Sequence, residues 1–359
     1  MESPADHGLT LVIKPANDCN ARCVYCSADR EGKERMSADT LDRLFRRIVE
    51  HSPRHLVLLW HGGEPLVAGA HFYRTVAGWM PVLAERGVEA ANLFQTNALL
   101  AHGEMLDLVC ALSPGSIGTS VDPIPGIRIL EGSPDAYLAR WLDSVAGLRR
   151  RGVTVNVVYV VHKRACASMR ELYFYFRNLG IGGVRFNPLY PSAHRQVPSE
   201  LVISPEEWGD ALLALRRAWE EDARRMRVEP VAEWEDSIRE RGDAGMSCAF
   251  SVSCGRGRLG IDPQGRVYPC GRMMDRGRAP LGSLAGQSLA ELLRLQEDGD
   301  LGARRDRLKA GPCGECRWQS LCKGGCPDDA EGTGPAVPSR WCAGHRRYFG
   351  EVYPQGAGF

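Results

Sequence analysis

The segment CNARCVYC places Cys19, Cys23 and Cys26 within eight residues, spaced four and three apart. Thiolates are soft ligands, so three of them in one loop point to a metal centre. A structural zinc ion takes four protein ligands, and its usual signature is a pair of C-x2-C knuckles. The spacing C-x3-C-x2-C, with the aromatic Tyr25 just before the last cysteine, suits a 4Fe-4S cubane in which three irons carry protein thiolates and the fourth stays open.

Eight more cysteines crowd the C-terminal third, as C248-x5-C254-x15-C270, then C313-x2-C316-x5-C322-x3-C326, then C342. Taken alone, the middle run has a zinc ribbon as its minority reading, whereas all eight thiolates would complete two fully ligated 4Fe-4S clusters. Disulfides are the other use of so many cysteines. The first ten residues, MESPADHGLT, lack a cationic stretch followed by an apolar one, so no secretory signal is expected and a reducing compartment favours metal. Two cysteines are left over and read as structural: Cys110 sits at helical spacing in EMLDLVCAL, and Cys166 follows an apolar run in VHKRACASM.

Such centres need a scaffold to hold them. Over the first 230 residues, β-branched apolar runs alternate with amphipathic stretches. Strands are expected at 9–14, 55–60, 89–96, 116–122, 153–161 and 183–189. Helices are expected from Ser37, which reads as an N-cap, and across 134–152, with a cationic last turn and Gly152 as the cap that closes it. A long helix at 204–226 follows. Strands alternating with helices imply parallel βαβ units, and six of them approach a TIM-like barrel with its chemistry at the C-terminal strand ends. Cys19, Gly62, Gln95, Asp122, His162 and Asn187 all fall there. Beyond about residue 226 the chain turns rich in Gly, Pro and Cys, with EPVAEWEDSIRERGDAG reading as a linker, and metal would have to supply the cross-links that apolar packing does not.

Composition narrows the partners. With 359 residues, 44% of them hydrophobic, the chain can fill one large domain and a smaller one. Lys and Arg number 45 against 44 Asp and Glu, so no basic field marks a nucleic-acid binder. No run of about 18 apolar residues suggests a membrane span. The expectation is a soluble, cytoplasmic protein with neither nucleic-acid nor membrane partners.

The triad resembles the hallmark of the radical S-adenosylmethionine enzymes, C-x3-C-x-aromatic-C after the first barrel strand. In that family the open iron chelates the cofactor, and one electron cleaves it to a 5'-deoxyadenosyl radical that abstracts hydrogen from the substrate. WHGGEP, after the second barrel strand, is similar to the family's glycine-rich motif. The resemblance gives Gly62, Gly63, Glu64 and Pro65 the role of a cradle for the cofactor's amino group. It also puts Gln95 and Asn97 of QTN, and Ser120 and Asp122 of SVD, against the cofactor.

The C-terminal cysteines resemble the SPASM extension, including its G-x4-C from Gly265 to Cys270. By analogy with the anaerobic sulfatase-maturating enzymes, Cys248, Cys254, Cys270 and Cys326 would hold one auxiliary 4Fe-4S cluster, and Cys313, Cys316, Cys322 and Cys342 another. The implied fold is α/β, a partial (β/α)6 TIM-like barrel over residues 1–228, a linker at 229–246 and a cysteine-rich SPASM domain at 247–359. The implied cofactors are three 4Fe-4S clusters and S-adenosylmethionine, with flavodoxin or ferredoxin as the low-potential electron donor.

The implied substrate is a ribosomally made peptide or protein that is oxidised or crosslinked. The alternative is a radical dehydrogenase or epimerase acting on a small alcohol, an aminocyclitol or sugar. With 18 residues ahead of Cys19, any leader recognition would fall to a separate protein or to the barrel surface. The sulfatase-maturating enzymes carry an aspartate as general base directly after the cysteine matching Cys270. Here that residue is Gly271, which accepts no proton, so formylglycine formation is not expected and a base must come from elsewhere, with Asp122, Tyr159, His162 and Asp275 as candidates.

Overall fold

The computed structural model describes residues 8–26, 32–190, 196–242, 246–251, 254–330 and 337–356. They fall into two compact units. The first comprises Met1–Asn156, Ser192–Gln196 and Gly255–Gln296, and the second Val157–Pro191, Val197–Cys254 and Glu297–Phe359.

The first unit is a sheet with helices from the βα units. Its elements are β1 (Leu9–Ile13), the two-residue β2 (Arg22–Cys23), α1 (Ala38–His51), β3 (His55–Trp60), α2 (Ala70–Glu85), β4 (Glu89–Thr96), α3 (Gly103–Leu112), β5 (Ser116–Thr119), β6 (Arg128–Ile129) and α4 (Pro134–Arg150). Near its middle β1 is buried along nearly its whole length, as expected of a parallel strand covered on both faces. It pairs in parallel with β3, which pairs in parallel with β4, and β4 with β5. Ser37 caps α1 by accepting from the Thr40 amide. The cap of α4 is Arg151, with Gly152 one residue further, where its φ of +78° turns the chain away. Cys110 lies half-buried on α3.

Residues 255–296 add β10 (Arg258–Ile261), β11 (Arg266–Tyr268), α9 (Gly271–Asp275) and β12 (Gly282–Ser283) to this same unit. β10 pairs with the free side of β1 in parallel, from Thr10 opposite Arg258 to Ile13 opposite Ile261. The sheet order is therefore β12-β11-β10-β1-β3-β4-β5. A four-residue run between glycine-rich turns is too short for periodicity to announce as a strand.

The chain enters the second unit within β7 (Thr154–Val161). This unit continues with α5 (Lys163–Cys166), α6 (Met169–Asn178), β8 (Gly183–Pro188), α7 (Pro205–Glu221), β9 (Arg227–Glu229) and α8 (Val231–Glu240). After residue 297 it adds α11 (Asp300–Lys309), which follows α10 (Leu289–Glu297), then α12 (Gln319–Cys322) and α13 (Cys342–Val352). α7 opens on a capping box between Ser204 and Glu207 and stops five residues before the expected end. α13 lies tightly on α7 because two glycines meet: a Cβ at Gly344 would stand 2.1 Å from the Pro205 carbonyl oxygen, and one at Gly209 2.9 Å from that of Gly344.

The segment expected to be a linker is a packed helix instead. Val231, Ala232 and Trp234 of α8 are buried, and Trp234 meets Phe250, His345, Tyr348 and Phe349 in an aromatic core. Six charged residues from 229 to 240 hide this short apolar stripe from a composition-based reading. Residues 243–245 of the expected linker lie outside the described residues. Among the described residues, no helix is long and apolar enough to cross a membrane.

Candidate active site and auxiliary cysteine centre

In the first unit the three-cysteine loop leaves the C-terminal end of β1 and is gripped from several sides. Next to it, the turn after β3 carries Gly62 and Gly63 at φ +81° and +42°. A Cβ on Gly63 would lie 2.6, 2.7 and 2.8 Å from the carbonyl oxygens of Asp18, Ala16 and Asn17, and the Glu64 amide donates to the Asp18 carbonyl at 3.0 Å. The glycine thus makes room for the backbone that leads into Cys19. This is a different reason for glycine from the approach of a cofactor.

Glu64 ties that turn to the end of β4. It is 1% exposed and accepts from the Leu66 amide (2.9 Å), the Thr96 hydroxyl (2.5 Å) and the Asn97 amide (2.7 Å). Asn97 then reaches the cysteine loop, its side-chain amide donating to Asn20 Oδ1 at 2.7 Å and Cys19 Sγ at 3.7 Å. Burial lifts the Glu64 carboxyl to about 7 against the pull of its three donors. A carboxyl raised on folding holds its proton longer in the folded state, so its contribution to stability is full below about 4.5 and is lost as pH rises to about 7. Glu64→Gln is expected to remove that stretch of the pH dependence, which for one proton is at most about 1.4 kcal/mol per pH unit. It should also cost about 1–3 kcal/mol at pH 8 through imperfectly matched donors. Chemical denaturation of both proteins from pH 5 to 8 checks the slope; parallel curves would refute it.

The aromatic residue of the triad is held by a residue that spacing does not reveal. Arg128 of β6 is buried between two tyrosines, donating to Tyr25 Oη at 3.0 Å and Tyr137 Oη at 3.3 Å, with its guanidinium over both rings. Burial outweighs the cation and raises both phenols. β6 also pairs antiparallel with β2, Cys23 opposite Arg128. Tyr137 in turn donates to the Ser120 carbonyl, while Gln95 donates to Ser120 Oγ at 3.0 Å. The sequence-derived residues thus fall into two groups, Cys19, Glu64 and Asn97 in one, and Cys23, Gln95 and Ser120, joined through Arg128 and Tyr137, in the other.

The candidate bases stand in different surroundings. Asp122 accepts from the Ile124 amide at 3.0 Å and so shapes its own turn. Asp275, at the end of α9, is ion-paired with Lys14 at 3.2 Å, both side chains nearly buried. In the second unit Tyr159 is fully buried, with its ring against Phe176 and Phe186, and His162 is buried where α5 begins. Cys166, half-buried on α5, has its thiol pushed up to about 11, chiefly by burial. At Gly271 a Cβ would come within 2.6 Å of Val12 Cγ1, so a larger residue there would have to displace the Val12 side chain.

None of the thirteen cysteines is joined in a disulfide. In the second unit Cys313, Cys316, Cys322 and Cys342 line one recess together with His345 and Phe349. Burial and the neighbouring thiols push Cys322 up to about 12, and Cys313 and Cys342 are raised as well. Four thiols gathered where bare thiolates are disfavoured fit a centre whose iron supplies the compensating charge. Among the described residues no three Cys, His, Asp or Glu side chains converge as for a single ion. Cubane thiolates are spread wider, since each binds a different iron.

Cys248, Cys254 and Cys326 also lie in the second unit, whereas Cys270 lies in the first. Glu233 of α8 accepts from the Ser247 amide at 2.7 Å and pairs with Arg185, securing the segment that carries Cys248. Arg304 of α11 is buried, donates to the Gly324 and Val337 carbonyls, and feels the charges of Cys254 and Cys326 as well as Cys313 and Cys322.

Residues 13–171 match the model of the radical SAM superfamily. A serine-type anaerobic sulfatase-maturating enzyme of Klebsiella aerogenes is 27% identical, covering 96% of this chain and 85% of that one. A cysteine-type enzyme of Clostridium perfringens is 24% identical, covering 97% of each. Among solved structures, anSMEcpe with bound AdoMet aligns with a TM-score of 0.83 at 20% identity, over 97% of this chain and 94% of that one. Streptococcus suis SuiB bound to its precursor peptide SuiA aligns at 0.64 and 16%, over 92% and 75%. Over residues 13–171 and in its fold, mixed α/β with a parallel sheet, the chain is similar to the radical S-adenosylmethionine enzymes. Within the class, the chain resembles the anaerobic sulfatase-maturating enzymes over nearly its full length, C-terminal cysteine region included. The class implies S-adenosylmethionine and a 4Fe-4S cluster as cofactors.

Proposed function

We propose that this enzyme oxidises or crosslinks a side chain of a peptide or protein. The observation that carries the reading is the likeness, along nearly the whole chain, to enzymes described as maturing sulfatases, which are themselves proteins. The solved structures of anSMEcpe with the Cp18Cys peptide and of SuiB with SuiA support it. Cys19, Cys23 and Cys26 hold the first cluster, with Gly62, Gly63, Glu64, Pro65, Gln95, Asn97, Ser120 and Asp122 shaping the cofactor's place. Cys248, Cys254, Cys270 and Cys326 hold one auxiliary cluster, and Cys313, Cys316, Cys322 and Cys342 the other, for three in all. Held by Cys19, Cys23 and Cys26, a cluster would supply the one electron needed to split S-adenosylmethionine to a hydrogen-abstracting radical.

A two-electron oxidation of a side chain then balances in three parts. The deoxyadenosyl radical would take a hydrogen atom, the auxiliary clusters an electron, and a base a proton. Of the four candidates, Asp275 suits the last role best, as an ion-paired carboxylate one helical turn beyond Gly271. The steric conflict at Gly271 argues against the base position used by the sulfatase-maturating enzymes, so the product here need not be formylglycine.

The reading is tested with anaerobically reconstituted enzyme, S-adenosylmethionine, dithionite and a library of synthetic 18-residue peptides varied around one Ser or Cys. Mass spectrometry should find peptides that lose two hydrogens in step with 5'-deoxyadenosine formation. Oxidation confined to aminocyclitols or sugars offered in parallel would overturn it.

A further inference from the structure

His345 lies between a tryptophan and a cysteine of the auxiliary centre, and the order of donors fixes its state. Trp208 Nε1–H, which can only donate, points at His345 Nε2 at 3.4 Å. Nε2 therefore accepts, and the ring proton sits on Nδ1. That nitrogen is 3.8 Å from Cys322 Sγ, so the N–H is aimed at the sulfur. The ring is 5% exposed and enclosed by Trp234 and Phe250, whose centroids lie 5.8 and 5.5 Å away, so neither bond competes with bulk water.

We propose that His345 is a positioning residue for the auxiliary cluster held by Cys313, Cys316, Cys322 and Cys342, donating from Nδ1 to the Cys322 thiolate and thereby raising that cluster's reduction potential. The inference rests on the reading that these four cysteines hold a cluster. Reduction adds negative charge that is shared by the ligand sulfurs, so an N–H aimed at one of them stabilises the reduced state more than the oxidised one. Trp208 acts one step further out by holding the tautomer.

The test is a potentiometric titration followed by electron paramagnetic resonance, in full-length protein with Cys19, Cys23 and Cys26 changed to alanine, so that the auxiliary clusters alone contribute. Asparagine can place an amide N–H where Nδ1 stands, whereas glutamine places its amide near Nε2. In His345→Phe and His345→Gln, one of the two auxiliary clusters should show a reduced-to-oxidised ratio about tenfold lower at a fixed potential, which is about 59 mV. The other cluster should stay in place, and His345→Asn should restore the first. Unchanged potentials in His345→Phe, or an equal fall in His345→Asn, would overturn the proposal. Iron well below about eight per chain in the parent would instead overturn the cluster reading beneath it. Should the parent prove insoluble, the same series is titrated in the wild-type holoenzyme, where S-adenosylmethionine alters only the signal of the open-iron cluster.

Discussion

Gly63→Ala is expected to abolish cleavage of S-adenosylmethionine and to remove the first cluster's share of the iron, about four of about twelve atoms per chain. The added methyl would stand under 3 Å from three backbone oxygens, those of Asp18, Ala16 and Asn17, and backbone cannot swing aside as a side-chain tip can. The residue also sits at φ +42°, where a Cβ costs roughly 1–2 kcal/mol on its own. Relief requires the segment entering Cys19 to move, and with it the Glu64 amide bond to the Asp18 carbonyl and the Asn97 contact to Cys19. Gly152→Ala separates the two causes, since Gly152 has φ +78° and nothing within 4 Å of its would-be Cβ. That variant should keep its iron and its turnover, losing stability alone. Iron and sulfide assays with chromatography of 5'-deoxyadenosine decide the matter. Full iron and undiminished cleavage in Gly63→Ala would refute the packing account of the glycine-rich turn.

The same glycine marks what a sequence reading can and cannot reach. The motif and its place after β3 were legible because glycines, a triad and a strand pattern are local features. Which atoms approach Gly63 was not, because they belong to residues more than forty positions earlier in the chain. Strands β1, β3, β4, β5, β7 and β8 were readable from runs of branched apolar residues, and Ser37 from cap chemistry.

β10 was missed because four residues carry no period, and α8 because charges surround its apolar stripe. Arg128, Arg304 and His345 had no signal at all. Each acts on partners distant in sequence, Tyr25 lying 103 residues from Arg128 and Cys322 lying 23 from His345. Base chemistry was legible as an absence at Gly271. The pairing of Asp275 with Lys14 across 261 positions was not.

The central claim is that three cysteines and an open iron make the radical, and that the other clusters do not. Replacing Cys19, Cys23 and Cys26 by alanine removes every protein ligand of the first cluster while leaving eight thiolates, so roughly two-thirds of the iron should remain. The companion variant Cys316→Ala with Cys322→Ala damages one auxiliary centre in the second unit and leaves the triad whole. With dithionite as reductant and far-UV circular dichroism matching wild type, the account predicts no 5'-deoxyadenosine from the triple variant and wild-type-like formation of it by the companion, which fails only in substrate oxidation. Formation of 5'-deoxyadenosine by the triple variant above the protein-free background would contradict it.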